Sequence, residues 1–115
     1  MRYSLAGKIL VFCLALGVWS GVGSLFAYTP VEQVRQLKAC VGCYLRNANF
    51  DHHDLTEVNL RGANLEYATF KKATLYKADL TGADLKGADF TGALWVDGVT
   101  LCKKGSIGKC LAQEQ

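Results

Sequence analysis

Several kinds of pattern are missing from this 115-residue sequence. No nucleophile stands beside a base, and there is no glycine-rich phosphate loop or paired-carboxylate signature. The common transfer and hydrolytic chemistries therefore have no carrier. A strong charge is missing too. The whole chain carries +3. Without residues 1–27, eleven basic residues face ten acidic ones, a net charge of about +1. That balance matches neither the basic footprint of a nucleic-acid binder nor the acidic surface of a DNA mimic.

Acidic residues are absent from residues 1–27, and every charge is absent from Ile9 to Ala27. Arg2 and Lys8 precede an apolar core, Ile9 to Trp19, which breaks at the small residues Ser20 to Ser24. This order matches a secretory signal peptide, cleaved after Ser24 or after Ala27. An uncleaved membrane anchor is the alternative, because the uncharged run is near the lower limit for spanning a bilayer. Phe12 sits where a lipoprotein would need a small residue, so Cys13 reads as part of the apolar core. Four cysteines remain in the exported part: Cys40, Cys43, Cys102 and Cys110. An even count in a small exported domain points to disulfides.

What is present is a period of five. Leu45, Phe50, Leu55, Leu60, Leu65, Phe70, Leu75, Leu80, Leu85, Phe90 and Trp95 are all large and apolar. Two residues before each runs a second series, mostly alanine, from Cys43 through Ala48, His53 and Val58 to Ala93. Asn, Asp and Thr fill most positions between the two. Residues five apart on an α-helix step by about 140°, so no stripe forms, and a flat strand would flip alternate members to the other face. The chain must turn a corner every five residues, each side presenting one large and one small residue inward. Phe50, Phe70 and Phe90 recur every twenty residues, which predicts four sides per coil and a column of stacked rings.

The motif, clearest in Ala78 to Gly92, resembles the A-[DN]-L-x-x consensus of the pentapeptide-repeat family. The resemblance covers residues 43–97. It implies an all-β solenoid, a right-handed quadrilateral β-helix of about 2.75 coils. The organisation expected is a leader (1–27), a capping helix with the CxxC (28–42), the β-helix (43–97) and a C-terminal cap or tail with a Cys pair (98–115). On that fold Ala68→Leu or Ala83→Leu should overpack the interior.

A stack of coils needs its ends closed. Val31, Val34 and Leu37 share one helical face, Thr29 suits the cap, Pro30 the first position and Glu32 the first turn, which predicts a helix from Pro30 to Lys38 closing the N-terminal end. At the other end Leu94, Val96 and Val99 cover the last coil or form a self-association patch, and Cys102 to Cys110 reads as a loop. Coils of this kind would separate the two Cys pairs by roughly 13 Å, too far for a shared zinc site or disulfide. Local pairing, Cys40 with Cys43 and Cys102 with Cys110, is the economical arrangement. In Asp51-His52-His53-Asp54, His52 and His53 are weak metal candidates. The repeat points His53 inward and its neighbours outward, so bonding of His53 to a backbone carbonyl is favoured.

These readings converge on a non-enzymatic, extracytoplasmic structural or protein-interaction module. Its protein partner is unspecified and no cofactor or nucleic acid is expected. Membrane contact is expected only through the N-terminal segment. The resemblance adds a homodimer through the C-terminal end, since several family members pair that way. The alternatives are an exported thiol-redox or metal-binding protein, and a gyrase-protecting DNA mimic, which the near-neutral charge disfavours.

Overall fold

The computed structural model describes residues 29–113. The expected leader falls outside them, and no helix among the described residues is long and apolar enough to cross a membrane. The chain enters through α1 (Pro30–Leu37). Thr29 Oγ1 accepts the Glu32 N–H at 3.1 Å, satisfying one of the donors a helix start leaves open. The helix stops one residue short of the expected end. Lys38 takes a left-handed cap conformation, φ 55°, and its N–H donates to the Val34 carbonyl. Val34 is fully buried and Val31 packs against the core, so the apolar stripe of α1 lies on the first coil.

From Ala39 onward the backbone bends every five residues. Eight parallel bridges join residues twenty apart, from Ala39 with Asn59 to Thr74 with Leu94. Each side contributes a single bridged residue, so the β-structure is a stack of isolated bridges and not of long strands. The bend is a tight turn that begins at the large residue. The Ala48 N–H closes on Leu45 O at 3.0 Å, and the Ala68 N–H on Leu65 O at 3.0 Å. The third turn residue has positive φ, as at Asn47 (64°), Tyr67 (58°) and Gly87 (70°), the region that favours Gly or Asn. The outward Asp or Asn next to the large residue completes the corner by accepting the N–H two residues on. Asn64 Oδ1 takes the Glu66 N–H at 3.0 Å, and Asp84 Oδ1 takes that of Lys86 at 3.1 Å.

The interior is columnar. Phe50 stacks on Phe70 at 5.2 Å and Phe70 on Phe90 at 5.0 Å, with the Trp95 ring edge-on to Phe90. Cys40, one unit before the expected start, heads the column above which Leu60 and Leu80 follow. It is buried like the other large residues of the first coil. Leu45, Leu55, Leu60, Leu65 and Leu75 are also buried, whereas Leu80, Leu85 and Trp95 are half-buried at the C-terminal end. Ala83 is half-buried as well, which corrects the expectation that it would be as confined as Ala68.

The stretch after Trp95, in which Cys102 to Cys110 was expected as a loop, is paired to the last coil. It turns back and runs antiparallel over the last coil, pairing Leu94 with Leu101 and Asp89 with Ile107, and Cys102 then pairs with Ala112. Phe90 N–H donates to Ser106 O at 2.8 Å and Gly92 N–H to Cys102 O at 2.7 Å. The tail thus supplies the next layer of hydrogen bonds over two of the four sides, those of Phe90 and Trp95.

Candidate functional site

Three groups of residues stand out as carriers of function: the two Cys pairs, the cleft beside α1, and the outer faces. Cys40 is bonded to Cys43 across one corner, with Cα atoms 5.4 Å apart. Cys102 is bonded to Cys110 across the tail, with Cα atoms 5.0 Å apart. The first bond replaces the side-chain packing of the opening corner with a covalent tie. Cys40 is 2% exposed, so a thiol reagent reaches that pair only from Cys43. The pair follows the C-terminal end of α1, the pole of a helix that disfavours a thiolate. The second bond closes the tail around Ser106, which is fully buried. Ser106 Oγ donates to Lys103 O at 2.6 Å and accepts the Leu111 N–H at 2.9 Å. No sequence signal marked Ser106, since it sits among turn residues and outside the repeat.

The Asp51–Asp54 segment faces Arg35 and Gln36 of α1 across an open cleft of about 460 Å³. His53 points inward from its small position, half-buried, and its Nδ1 lies 2.9 Å from the Asp51 carbonyl. A carbonyl only accepts, so Nδ1 carries the hydrogen. His52 is exposed at a turn position with φ 63°. The two carboxylates are spent on the backbone: Asp51 Oδ1 accepts the Lys71 N–H at 2.8 Å and Asp54 Oδ1 the Thr56 N–H at 3.0 Å. Each bond occupies one carboxylate oxygen, and among the described residues no three His, Cys, Asp or Glu side chains are placed to hold a metal ion.

On the outer faces the carboxylates repeat one arrangement. Asp54, Asp79 and Asp97 are each held below the ordinary carboxylate range, first by the hydroxyl of Thr56, Thr81 or Thr100 and then by backbone N–H groups. A carboxylate so bonded is a poor general acid. Two tyrosines lie flat on the turn glycine of the next coil. A Cβ added to Gly87 would sit 2.4 Å from the Tyr67 ring, and one added to Gly98 would sit 2.5 Å from the Tyr76 ring. The Arg46 guanidinium lies 5.0 Å from the Tyr67 centroid and pairs with Glu66 at 3.2 Å.

A family model described as pentapeptide repeats matches the chain in eight copies, over residues 40–75 and 54–92. Residues 40–92 are pentapeptide repeats of that family. Proteins of this family form right-handed quadrilateral β-helices and are generally structural or interaction modules. Among solved structures the chain is similar to HetL, a pentapeptide-repeat protein involved in heterocyst differentiation regulation from the cyanobacterium Nostoc sp. strain PCC 7120. The match has 40% identity over 52% of this chain and a TM-score of 0.33. It is also similar to Rfr23, a pentapeptide-repeat protein from the cyanobacterium Cyanothece 51142, at 21% identity over 56% of this chain, TM-score 0.35. The repeat chain spans 31% of the length of HetL and 64% of that of Rfr23. No curated protein sequence matches it.

Proposed function

We propose that this pentapeptide-repeat chain is a non-enzymatic, extracytoplasmic scaffold that binds other proteins, a β-helix of about 2.75 coils capped by α1 at one end and, over two of its four sides, by the tail at the other. The observation that carries the reading is the pairing of all four cysteines of residues 28–115 into two local bonds, one at each end of the stack. Such bonds persist in oxidising compartments and are rare where glutathione keeps thiols reduced. The outward carboxylates support the non-enzymatic part, because their lone pairs serve the corners. Intact mass of the native protein from fractionated cells, with and without thiol alkylation, tests the proposal. A chain beginning near Leu25 or Tyr28 with four unreactive cysteines upholds it. A full-length chain with alkylated thiols overturns it.

A second reading is favoured by one observation: Val99, Leu101 and Ile107 are exposed at the C-terminal end. Large apolar residues exposed there suit self-association through that end. Light scattering across a concentration series separates the two, since the scaffold reading requires no dimer. The thiol-redox reading rests on the CxxC alone, and a reduction potential in the range of structural disulfides would remove it.

A further inference from the structure

The hydrogen-bond ladder between coils has a gap at the C-terminal end. In the complete part of the stack the N–H of each large residue donates to the coil above, as Leu60 does to Asp79 O at 2.9 Å and Leu65 to Asp84 O at 2.8 Å. The N–H two residues later does the same, Gly62 to Thr81 O at 2.9 Å. The carbonyl of each small residue accepts from above, Val58 O from the Asp79 N–H and Ala63 O from the Asp84 N–H. One coil further on, the tail satisfies the equivalent groups of two sides only. On the other two, the N–H groups of Leu80, Gly82 and Leu85 and the carbonyls of Ala78 and Ala83 have no partner among the described residues. Leu80, Leu85, Ala78 and Ala83 themselves remain half-buried.

We propose that this open step takes a strand from another protein: an extended segment with a small and then a large apolar residue facing inward and basic residues facing outward. The inference deepens the scaffold reading and rests on it. Unpaired main-chain groups at a sheet edge are a template for strand addition, with side-chain pockets supplying selectivity. The large residue of such a segment would continue the column above Leu80. The rim sets the charge. Asp79 and Asp84 occupy the outward positions, and outward residues of adjacent coils lie side by side, as Thr69 does with Asn49, Oγ1 to Oδ1 at 3.4 Å. Height sets the shape of the partner. The tail stacks two strands high beside the step, Cys102 on the last coil and Ala112 on Cys102. A second copy presenting a flat coil end would meet the tail first, whereas a single strand fits beside it. The corner at Thr81 and Gly82 lets a straight segment pair with one side. A segment that bends with the chain also reaches Ala83 and Leu85.

The test uses a labelled synthetic peptide with the sequence Ala-Lys-Leu-Lys-Gly repeated twice, titrated with the oxidised chain and read by fluorescence anisotropy. Two control peptides carry glutamate in place of the lysine that follows each alanine, or an N-methyl group at that same residue, which deletes the donors to Ala78 and Ala83. Saturable binding is expected, weakened about tenfold or more by either change. Asp79→Lys with Asp84→Lys should reverse the preference between the lysine and glutamate peptides. Absence of saturable binding overturns the proposal, and so does binding indifferent to N-methylation. A concentration-dependent dimer abolished by Leu80→Lys would assign the step to a second copy and overturn it equally. None of these outcomes depends on where the leader is cut, so failure here is distinct from failure of the mass experiment.

Discussion

Single residues in this chain are governed by which corner they occupy. Ala68 is fully buried beneath neighbouring coils, and Ala68→Leu should cost about 1–3 kcal/mol. Ala83→Leu, at the open step, should cost less than half as much, and paired urea titrations read the difference. Gly87 and Gly62 share the same positive φ, 70° and 67°, but only at Gly87 would a Cβ strike a ring. Both alanine variants should lose about 1 kcal/mol or more to backbone strain. Gly87→Ala should lose more, and Tyr67→Ala should relieve that excess in the double variant, measured by the same titrations. The sequence showed the alanine and leucine series plainly because a period of five repeated eleven times has few rivals. It did not show that Glu57, Lys72 and Lys77 adopt left-handed φ. Their identities are ordinary, and neighbouring coils impose the conformation.

At the scale of elements, each end has its own cause. The start of α1 was readable from Thr29, Pro30 and Glu32, since capping chemistry is local. The local Cys102–Cys110 bond was readable, but the path of the tail was not. Its order comes from backbone pairing with the last coil and from one buried serine, neither of which leaves a pattern in composition. Ser106→Ala removes a hydroxyl that both donates and accepts, and should destabilise the chain by about 1–3 kcal/mol. Amide exchange at Phe90 and Gly92, whose bonds the tail receives, should accelerate in that variant while exchange at Leu60 stays unchanged. Replacing Cys102 and Cys110 by alanine opens a loop closure worth about 2–3 kcal/mol, and should accelerate the same amides further. The inward-facing position of His53 was also legible, from its phase in the repeat. The turning of Asp51 and Asp54 into backbone bonds was not, because four potential ligands in a row say nothing of where each oxygen finds a donor.

The whole molecule responds to acid as the sum of its corners. The carboxyls of Asp54, Asp79 and Asp97 sit below their ordinary value of 3.8, so the folded state binds fewer protons than the unfolded chain around that value. Their stabilisation is complete above about pH 4 and is lost as pH falls through the lowered values. Urea midpoints should therefore drop between pH 4 and 2. Asp54→Asn should flatten part of that drop. The two closures also share an orientation. α1 meets the corner at Asp51–Asp54 and the tail covers Phe90 and Trp95, so both lie over the same pair of sides. This makes the chain a ruler with an angular mark. Twenty inserted residues would raise the tail by about 4.8 Å and leave it facing the same way, whereas five would swing it a quarter turn around the axis. Length and bearing can thus be set independently, in steps that the number five and the number four dictate.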